Sequence, residues 1–155
     1  MIIALGCDHA GYPLKKQVHA WLEKNGHQVL NLGVDTDQTP ADYPDYACAV
    51  AESVAAGKAA RGVIVCGSGV GATIAANKVP GVRACMCHDT FSARQGVEDD
   101  DMNVLCLGGR IIGSELAYEV LKAFLGATYS GLERHQRRKD KVTSIERAYS
   151  KESAS

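Results

Sequence analysis

The sequence predicts an α/β fold, a Rossmann-like three-layer α/β/α sandwich around a five-stranded, mainly parallel sheet. Two observations support this prediction. Short apolar runs, turn residues and segments of helical period alternate along most of the chain, which is typical of βαβ units. The apolar runs also lack internal proline, as the central strands of a parallel sheet require. The predicted strands cover residues 2–5, 29–32, 62–66, 82–87 and 104–107.

Helices are predicted in the gaps between these strands. Apolar residues recur at helical spacing over 14–22, and the pattern stops at Gly26, a residue type that commonly ends helices. The same spacing runs over 47–54 and stops before Gly57. Further helices are predicted over about 70–78, 90–97 and 114–125.

The C-terminal part of the chain changes character. Residues 131–147 are strongly charged, and Val142 and Ile145 are their clearly apolar positions. A helix this polar packs on a partner subunit or lies on the surface. We therefore expect one domain over 1–148, with its last helix packed on a partner, and a disordered tail over 149–155.

The composition excludes several classes of partner. Seventeen Lys and Arg residues stand against eighteen Asp and Glu residues, so no bulk field favours nucleic acid or an anionic membrane. A chain of 155 residues buries roughly 68–70% of its unfolded surface and needs no disulfide or metal staple. The N-terminal run lacks the basic start of a signal peptide, and the six cysteines form no C-x-x-C pair. We therefore expect reduced thiols in a cytoplasmic protein.

Residues that follow the predicted strands carry the candidate chemistry, because ligands of an open α/β sheet bind beyond the carboxyl ends of its strands. Asp8 and His9 follow the first strand and are either a ligand-facing pair or a satisfied strand-end pair. The segments expected to meet at this edge are 6–11, 66–71, 88–89 and 108–110.

Three alternating glycines form the strongest local signal. Gly67, Gly69 and Gly71 lead from a strand into a helix, which lets the backbone approach a ligand and direct N–H groups at negative charge. An anion or oxyanion hole is the functional interpretation, and a tight turn without a ligand is the alternative. The pattern Gly67-x-Gly69-x-x-Ala72, with Asp89 downstream, also fits a loose dinucleotide fingerprint. That pattern follows the third strand instead of the first, which disfavours a NAD site.

Cys66 directly precedes the glycine loop and a helix N-terminus, where partial positive charge stabilises a thiolate. It is therefore a candidate base or nucleophile, and a buried structural thiol is the alternative. Arg134, Arg137 and Arg138, with His135, form either a phosphate grip or a solvated helical face. No set of His, Asp and Glu residues has metal-ligand spacing, so we do not expect a metal site.

Several segments in a fixed order are more specific than any single motif. They are Gly6-Cys7-Asp8-His9-Ala10-Gly11, Asp42-Tyr43-Pro44, Cys66-Gly67-Ser68-Gly69-Val70-Gly71 with Ile74-Ala75-Ala76-Asn77-Lys78, Asn103-Val104-Leu105, and Arg134-His135-x-x-Arg138. Together they resemble the sugar-phosphate isomerase family that includes type B ribose-5-phosphate isomerase and galactose-6-phosphate isomerase. The resemblance covers about residues 1–147.

The resemblance implies an enzyme of the pentose phosphate pathway that interconverts D-ribose 5-phosphate and D-ribulose 5-phosphate through a cis-enediolate, without metal or cofactor. It also implies a homodimer, or a tetramer, with sites at the subunit interface. Cys66 would be the base that moves the proton between C1 and C2, with Ser68 beside it. The loop would supply N–H donors to the enediolate. The loop residues are Gly67, Ser68, Gly69, Val70 and Gly71.

The resemblance also implies which residues bind the substrate. His9, Arg134 and Arg138 would hold the phosphate, some of them across the interface, with Arg110 assisting. The full implied set is Asp8, His9, Asp42, Tyr43, Asp100, Arg110, Arg134 and Arg138.

One position departs from the family pattern. Many members carry His-Asn four residues before the Asn of Asn-Val-Leu, and that histidine opens the furanose ring, whereas this chain has Asp99-Asp100. Two carboxylates there would oppose the negative charge that develops during catalysis. Three hypotheses remain open: His88 or His135 replaces the ring-opening group, the substrate is acyclic, such as a tetrulose 4-phosphate, or the acidic loop swings away and solvent opens the ring. A non-catalytic sugar-phosphate binding protein is the alternative from another class of function.

Overall fold

Strands and helices alternate through residues 1–150, the part of the chain that the computed structural model describes. The strands are β1 (Ile2–Cys7), β2 (Gln28–Asn31), β3 (Arg61–Cys66), β4 (Ala84–Met86) and β5 (Val104–Gly108). The helices are α1 (Tyr12–Lys24), α2 (Tyr43–Ala55), α3 (Val70–Ala76), α4 (Thr90–Asp100), α5 (Ser114–Gly126) and α6 (Glu133–Tyr149). The strand order is β2-β1-β3-β5-β4 and every pair is parallel, which confirms the predicted α/β fold.

The sheet separates two buried apolar clusters, so the fold has three layers. Residues of β1 alternate between them: Ile3 and Leu5 face the cluster under α1, α4 and α5, while Ala4 faces the cluster under α2 and α3. This alternation follows from the two-residue period of a strand. Phe124 of α5 is the largest fully buried side chain and fills the first cluster.

The edge strand β4 is shorter than the predicted range of 82–87. The N–H of Val82 donates to Val79 in a turn, and the N–H of Arg83 donates to the Asn103 side chain at 2.8 Å, so neither enters the ladder as strand. In contrast, α4 runs three residues beyond its predicted end at 97. It stops at Asp101, which adopts the left-handed conformation with φ 54°.

Helix α6 packs against α4 through its N-terminal half. His135 is its one fully buried residue, and Val142, Ile145 and Tyr149 on its C-terminal half remain exposed. The tail predicted over 149–155 is wrong at Tyr149, which is helical, and its last five residues lie outside the described part of the chain. Across residues 1–150, no helix is both long and apolar enough to cross a bilayer.

Candidate active site

The carboxyl ends of β1, β3 and β5 meet at a cleft of about 380 Å³. The loops after these strands form its walls, and Tyr43 at the start of α2 closes one side. Its lining residues are Asp8, His9, Ala10, Tyr43, Cys66, Gly67, Ser68, Gly71, Arg110 and Ile111. The edge of the sheet predicted to hold the chemistry therefore brings most of the predicted residues together.

Cys66 ends β3 and borders the cleft, with 3% of its surface exposed. The backbone N–H of Gly69 donates to its Sγ at 3.1 Å. This geometry requires Gly69 to adopt φ 85°, a left-handed conformation that glycine reaches without strain. The loop therefore aims a backbone N–H at the sulfur that borders the cleft, where it can donate to negative charge.

The rest of the glycine loop starts α3. The N–H of Val70 donates to Ser68 Oγ at 3.3 Å, and the helical ladder begins with the N–H of Thr73 donating to Gly69. The N–H groups of Gly71 and Ala72 precede that first helical bond, so the helix itself does not use them. The loop can therefore offer backbone donors to an anion in the cleft.

Asp8 and His9 follow β1 and are both fixed by backbone groups. The Asp8 carboxylate is 6% exposed and accepts the N–H of Gly11 at 2.9 Å. His9 Nδ1 lies 3.0 Å from the Ala41 nitrogen and 3.2 Å from its oxygen. With Nδ1 occupied by Ala41, Nε2 is the nitrogen available to a ligand. The contact with Ala41 was not predictable, since backbone atoms of any residue type can make it.

Arg110 supplies positive charge to the cleft. Its backbone N–H donates to Gly67 at 3.0 Å, and its guanidinium lies 3.6 Å from where a Cβ on Gly67 would be. Opposite, the Tyr43 ring packs directly on Gly71, where an added Cβ would lie 2.6 Å from Cζ. Asp42 precedes this tyrosine as the residue before α2 and does not line the cleft, and neither do Gly69 and Val70.

Four predicted site residues lie near the amino ends of the strands, opposite the cleft at the carboxyl ends. Asp99 and Asp100 end α4, whose chain then enters the amino end of β5. Arg134 and Arg138 lie on α6. The start of this helix is held near the end of α4, because Ser130, just before α6, donates its N–H to the Glu98 carbonyl at 2.9 Å. A five-residue strand spans roughly 15 Å, so these four residues of one chain do not reach its own cleft.

A larger groove of about 880 Å³ runs between α6 and the β4 edge. It includes Asp100, Cys85, Val142 and Ile145 and none of the loop that holds Cys66. A hydrogen bond from Cys87 lowers the pKa of the Cys85 thiol to about 7. The smaller cleft is the candidate active site, because the polar groups that follow the strands converge there.

Two histidines considered as alternative catalytic groups are held by their own chain. His88 Nε2 accepts the N–H of Gly108 at 2.9 Å, and burial lowers the pKa of this histidine. His135 is 5% exposed and lies beside Asp99. Neither lines the cleft. Within residues 1–150, no group of three or more His, Cys, Asp or Glu side chains is arranged to hold a metal ion.

The parallel sheet, the thiol and the N–H loop at its carboxyl edge define a small-molecule enzyme of the α/β class. The sequence profile of the family described as Ribose/Galactose Isomerase matches residues 3–142. The chain belongs to this family of sugar-phosphate isomerases.

Individual relatives are similar over nearly the whole chain. Ribose-5-phosphate isomerase B of Escherichia coli (strain K12) is 44% identical over 144 residues, which are 93% of this chain and 95% of that protein. D-erythrulose-4-phosphate isomerase of Pectobacterium atrosepticum is 40% identical over 129 residues, 83% of this chain and 85% of that protein. The structure of Clostridium thermocellum ribose-5-phosphate isomerase B superposes with a TM-score of 0.94 at 42% identity, covering 97% of this chain and 100% of that one.

Proposed function

We propose that this chain interconverts D-ribose 5-phosphate and D-ribulose 5-phosphate through a cis-enediolate, with Cys66 as the base and without a cofactor. The observation that carries the proposal is the N–H of Gly69 donating to Cys66 Sγ at 3.1 Å, on a sulfur that borders the cleft. The proposed unit is the domain over 1–148. We place it in the cytoplasm, in keeping with its six free cysteines.

The proposed reaction moves one proton between two neighbouring carbons. The Cys66 thiolate takes the proton from C2 of the open-chain aldose, and the C–H electrons form the double bond of an enediolate. Backbone N–H groups at the start of α3 stabilise the oxyanion, with Ser68 beside it. The Cys66 thiol then returns the proton to C1, while the proton of the O2 hydroxyl passes to O1, which gives the ketose. No electron acceptor is needed, because the substrate oxidises one carbon and reduces the other.

The phosphate site is proposed to be shared between two copies of the chain. His9 and Arg110 lie at the cleft, whereas Arg134 and Arg138 lie at the far edge of the sheet and are exposed. We propose that a partner subunit brings its Arg134 and Arg138 to the cleft, together with its Asp99 and Asp100. The chain would thus act as a homodimer, or as a tetramer built from such dimers.

Two exposed apolar patches support this arrangement. Val70 and Ile74 on α3, beside the cleft, are 48% and 58% exposed. Val142, Ile145 and Tyr149 on α6 are 55%, 61% and 84% exposed. A twofold axis that sets the α3 patch of one copy on the α6 patch of the other repeats the contact symmetrically, as isologous dimers do.

D-erythrulose 4-phosphate is the second candidate substrate. Asp99 stands where a ring-opening histidine is expected, and a four-carbon 4-phosphate cannot close a furanose ring through its phosphorylated hydroxyl. Two of the relatives carry the name D-erythrulose-4-phosphate isomerase.

The first test measures ketose formation from D-ribose 5-phosphate in D2O without added metal, with deuterium incorporation beside the carbonyl. We expect conversion with exchange, and we expect Cys66→Ala to lose both while still binding the sugar phosphate. Cys48→Ala, at a partly exposed thiol of α2 that donates to Glu52, is the matched control and should retain the activity. A sugar phosphate that binds without conversion or exchange, for both candidate substrates, would favour the non-catalytic binding protein.

The shared site has a separate test by subunit mixing. Cys66→Ala and Arg134→Ala should each be nearly inactive, because each removes one half of every site. Mixed and re-associated, they should recover about a quarter of the wild-type activity, since half of the dimers then hold one intact site. No recovery, with exchange of subunits demonstrated, would mean that both residues act within one chain.

A further inference from the structure

We infer that this chain acts on the open-chain form of its sugar phosphate and leaves the opening of a furanose ring to solvent. Asp99 stands where the family resemblance places a ring-opening histidine, and its side chain is held by Gln95 and His135 of its own chain. The inference rests on the proposed function and narrows the form of substrate that the site takes.

Ring opening requires a proton donor at the ring oxygen. As the bond between C1 and the ring oxygen breaks, that oxygen takes up a proton, and the anomeric hydroxyl releases one. An imidazole can perform both transfers, because one ring nitrogen donates while the other accepts, whereas an ionised carboxylate can only accept. The family resemblance places the ring-opening histidine at position 99, so the side chain there is the one expected to assist this step.

Both oxygens of Asp99 are occupied by its own chain. Oδ2 accepts the Gln95 amide at 2.9 Å, and Oδ1 lies 3.6 Å from His135 Nε2. The carboxylate of Asp99 therefore faces groups of its own chain on both sides, the Gln95 amide and the His135 ring. The Asp99 side chain is 30% exposed, so solvent and ligand meet a carboxylate already fixed from two sides.

His135 cannot take over the role from its position on α6. Its Nδ1 lies 2.6 Å from Ser130 Oγ, its Nε2 faces Asp99, and its side chain is 6% exposed. Both ring nitrogens are thus used inside the chain. An imidazole in this position orients Asp99 but does not reach a sugar ring.

The end of α4 is also fixed, which argues against a loop that swings away. Arg83 donates through Nε to the Asp101 backbone oxygen at 2.6 Å and through Nη2 to its Oδ2 at 3.1 Å. Lys139 of α6 donates to the same Oδ2 at 3.0 Å. These bonds tie Asp101, the residue next to Asp100, to both the segment before β4 and helix α6, so the two carboxylates keep their place.

The other histidines do not replace the missing donor. His88 Nε2 accepts a hydrogen bond from Gly108, and His19 pairs with Glu23 on the surface of α1. His27 follows α1, remote from the carboxyl edge of the sheet. His9 does line the cleft, where the proposed function engages it with the phosphate.

The test compares a ring-forming and an acyclic substrate at rising concentrations of the wild-type enzyme. With D-ribose 5-phosphate, we expect the rate to level off at the rate of spontaneous ring opening, measured separately by NMR magnetisation exchange. With D-erythrulose 4-phosphate, the rate should remain proportional to enzyme. A rate on D-ribose 5-phosphate that stays proportional to enzyme and exceeds the spontaneous opening rate would overturn the inference.

Variants at position 99 give a second measurement. Asp99→His should raise the plateau on D-ribose 5-phosphate on the order of 10-fold or more, toward the range of a positioned general acid–base group. Asp99→Asn removes the charge without adding an acid–base group, so its plateau should equal the spontaneous rate. A plateau raised equally by Asn would contradict the inference. Absence of turnover on both substrates by the wild type would instead overturn the proposed function, and the inference with it.

Discussion

Replacing Gly71 with alanine tests whether the position of the Tyr43 ring at the side of the cleft matters for activity. The added Cβ would lie 2.6 Å from Tyr43 Cζ, whereas ordinary contact begins at 3.4 Å, so the ring must retreat by about 0.8 Å. A displacement of about 1 Å in a positioning group costs on the order of 100-fold in rate. We therefore expect kcat/KM to fall on the order of 10- to 100-fold.

The same substitution should not weaken the fold. Gly71 lies in the first turn of α3, and alanine is favoured over glycine in helices by up to about 1 kcal/mol. Tyr43 is 41% exposed, so its ring can move outward without opening the core. An unchanged or raised Tm together with reduced activity is the expected signature.

A double-mutant cycle separates the tyrosine from the loop. Ketose formation is measured for Gly71→Ala, for Tyr43→Ala and for the two combined. If the alanine acts by displacing the ring, it should have little further effect once the ring is absent. An equal loss in both backgrounds would refute the reasoning and show that the Cβ acts on the N–H loop itself.

Three further predictions concern stability. Arg61 donates to the carbonyls of Phe124 and Ala127 at the end of α5, so Arg61→Met should lower the free energy of unfolding by about 1–3 kcal/mol in urea titrations. Arg94→Met, which removes an exposed pair with Glu98, is its control and should cost less than about 1 kcal/mol. Phe124→Ala should cost about 3–5 kcal/mol, because it empties a site that is fully buried in the larger cluster; a loss below about 1 kcal/mol would contradict that packing. Burial lowers the pKa of His88 below its ordinary value of 6.5, so the unfolded chain takes up this proton first as the pH falls. Stability contributed by neutral His88 is therefore lost as the pH falls below about 6.5. His88→Gln should show a smaller drop in urea midpoint than the wild type between about pH 7 and pH 5. An equal drop in both proteins would exclude His88 as the source.

The part of the site at the carboxyl edge was predictable from sequence. Parallel strands bring the residues that follow them to one edge, and Asp8, Cys66 and Arg110 line one cleft as expected. The thiol beside the glycine loop was likewise expected, and the N–H of Gly69 does donate to it. These features depend on topology and local geometry, which apolar periodicity and glycine spacing encode.

The placement of the remaining residues was not predictable in the same way. The family resemblance assigns Asp99 and Arg134 to the same site as Cys66. However, each helix that follows a strand returns the chain to the amino ends of the strands, and these two residues lie near those ends. No local signal states whether a residue serves its own cleft or that of a neighbouring copy. The Asp99–His135 contact also joins α4 to α6, and neither residue's immediate sequence indicates the other.

The loop of 66–71 and the contacts of Asp99 lie at opposite ends of the strands, so substrate choice can vary without a change in the loop. The proposed proton transfer needs the thiolate and the backbone donors of 66–71, whose geometry is set at the end of β3. The inferred choice of substrate form depends on Asp99 and its partners at the far end of β5, where Arg83 and Lys139 fix the turn independently. A substitution at position 99 therefore changes which form of the sugar enters the reaction without altering the loop that carries it out. The two properties should accordingly respond to mutation independently, with additive effects on kcat/KM for an acyclic substrate.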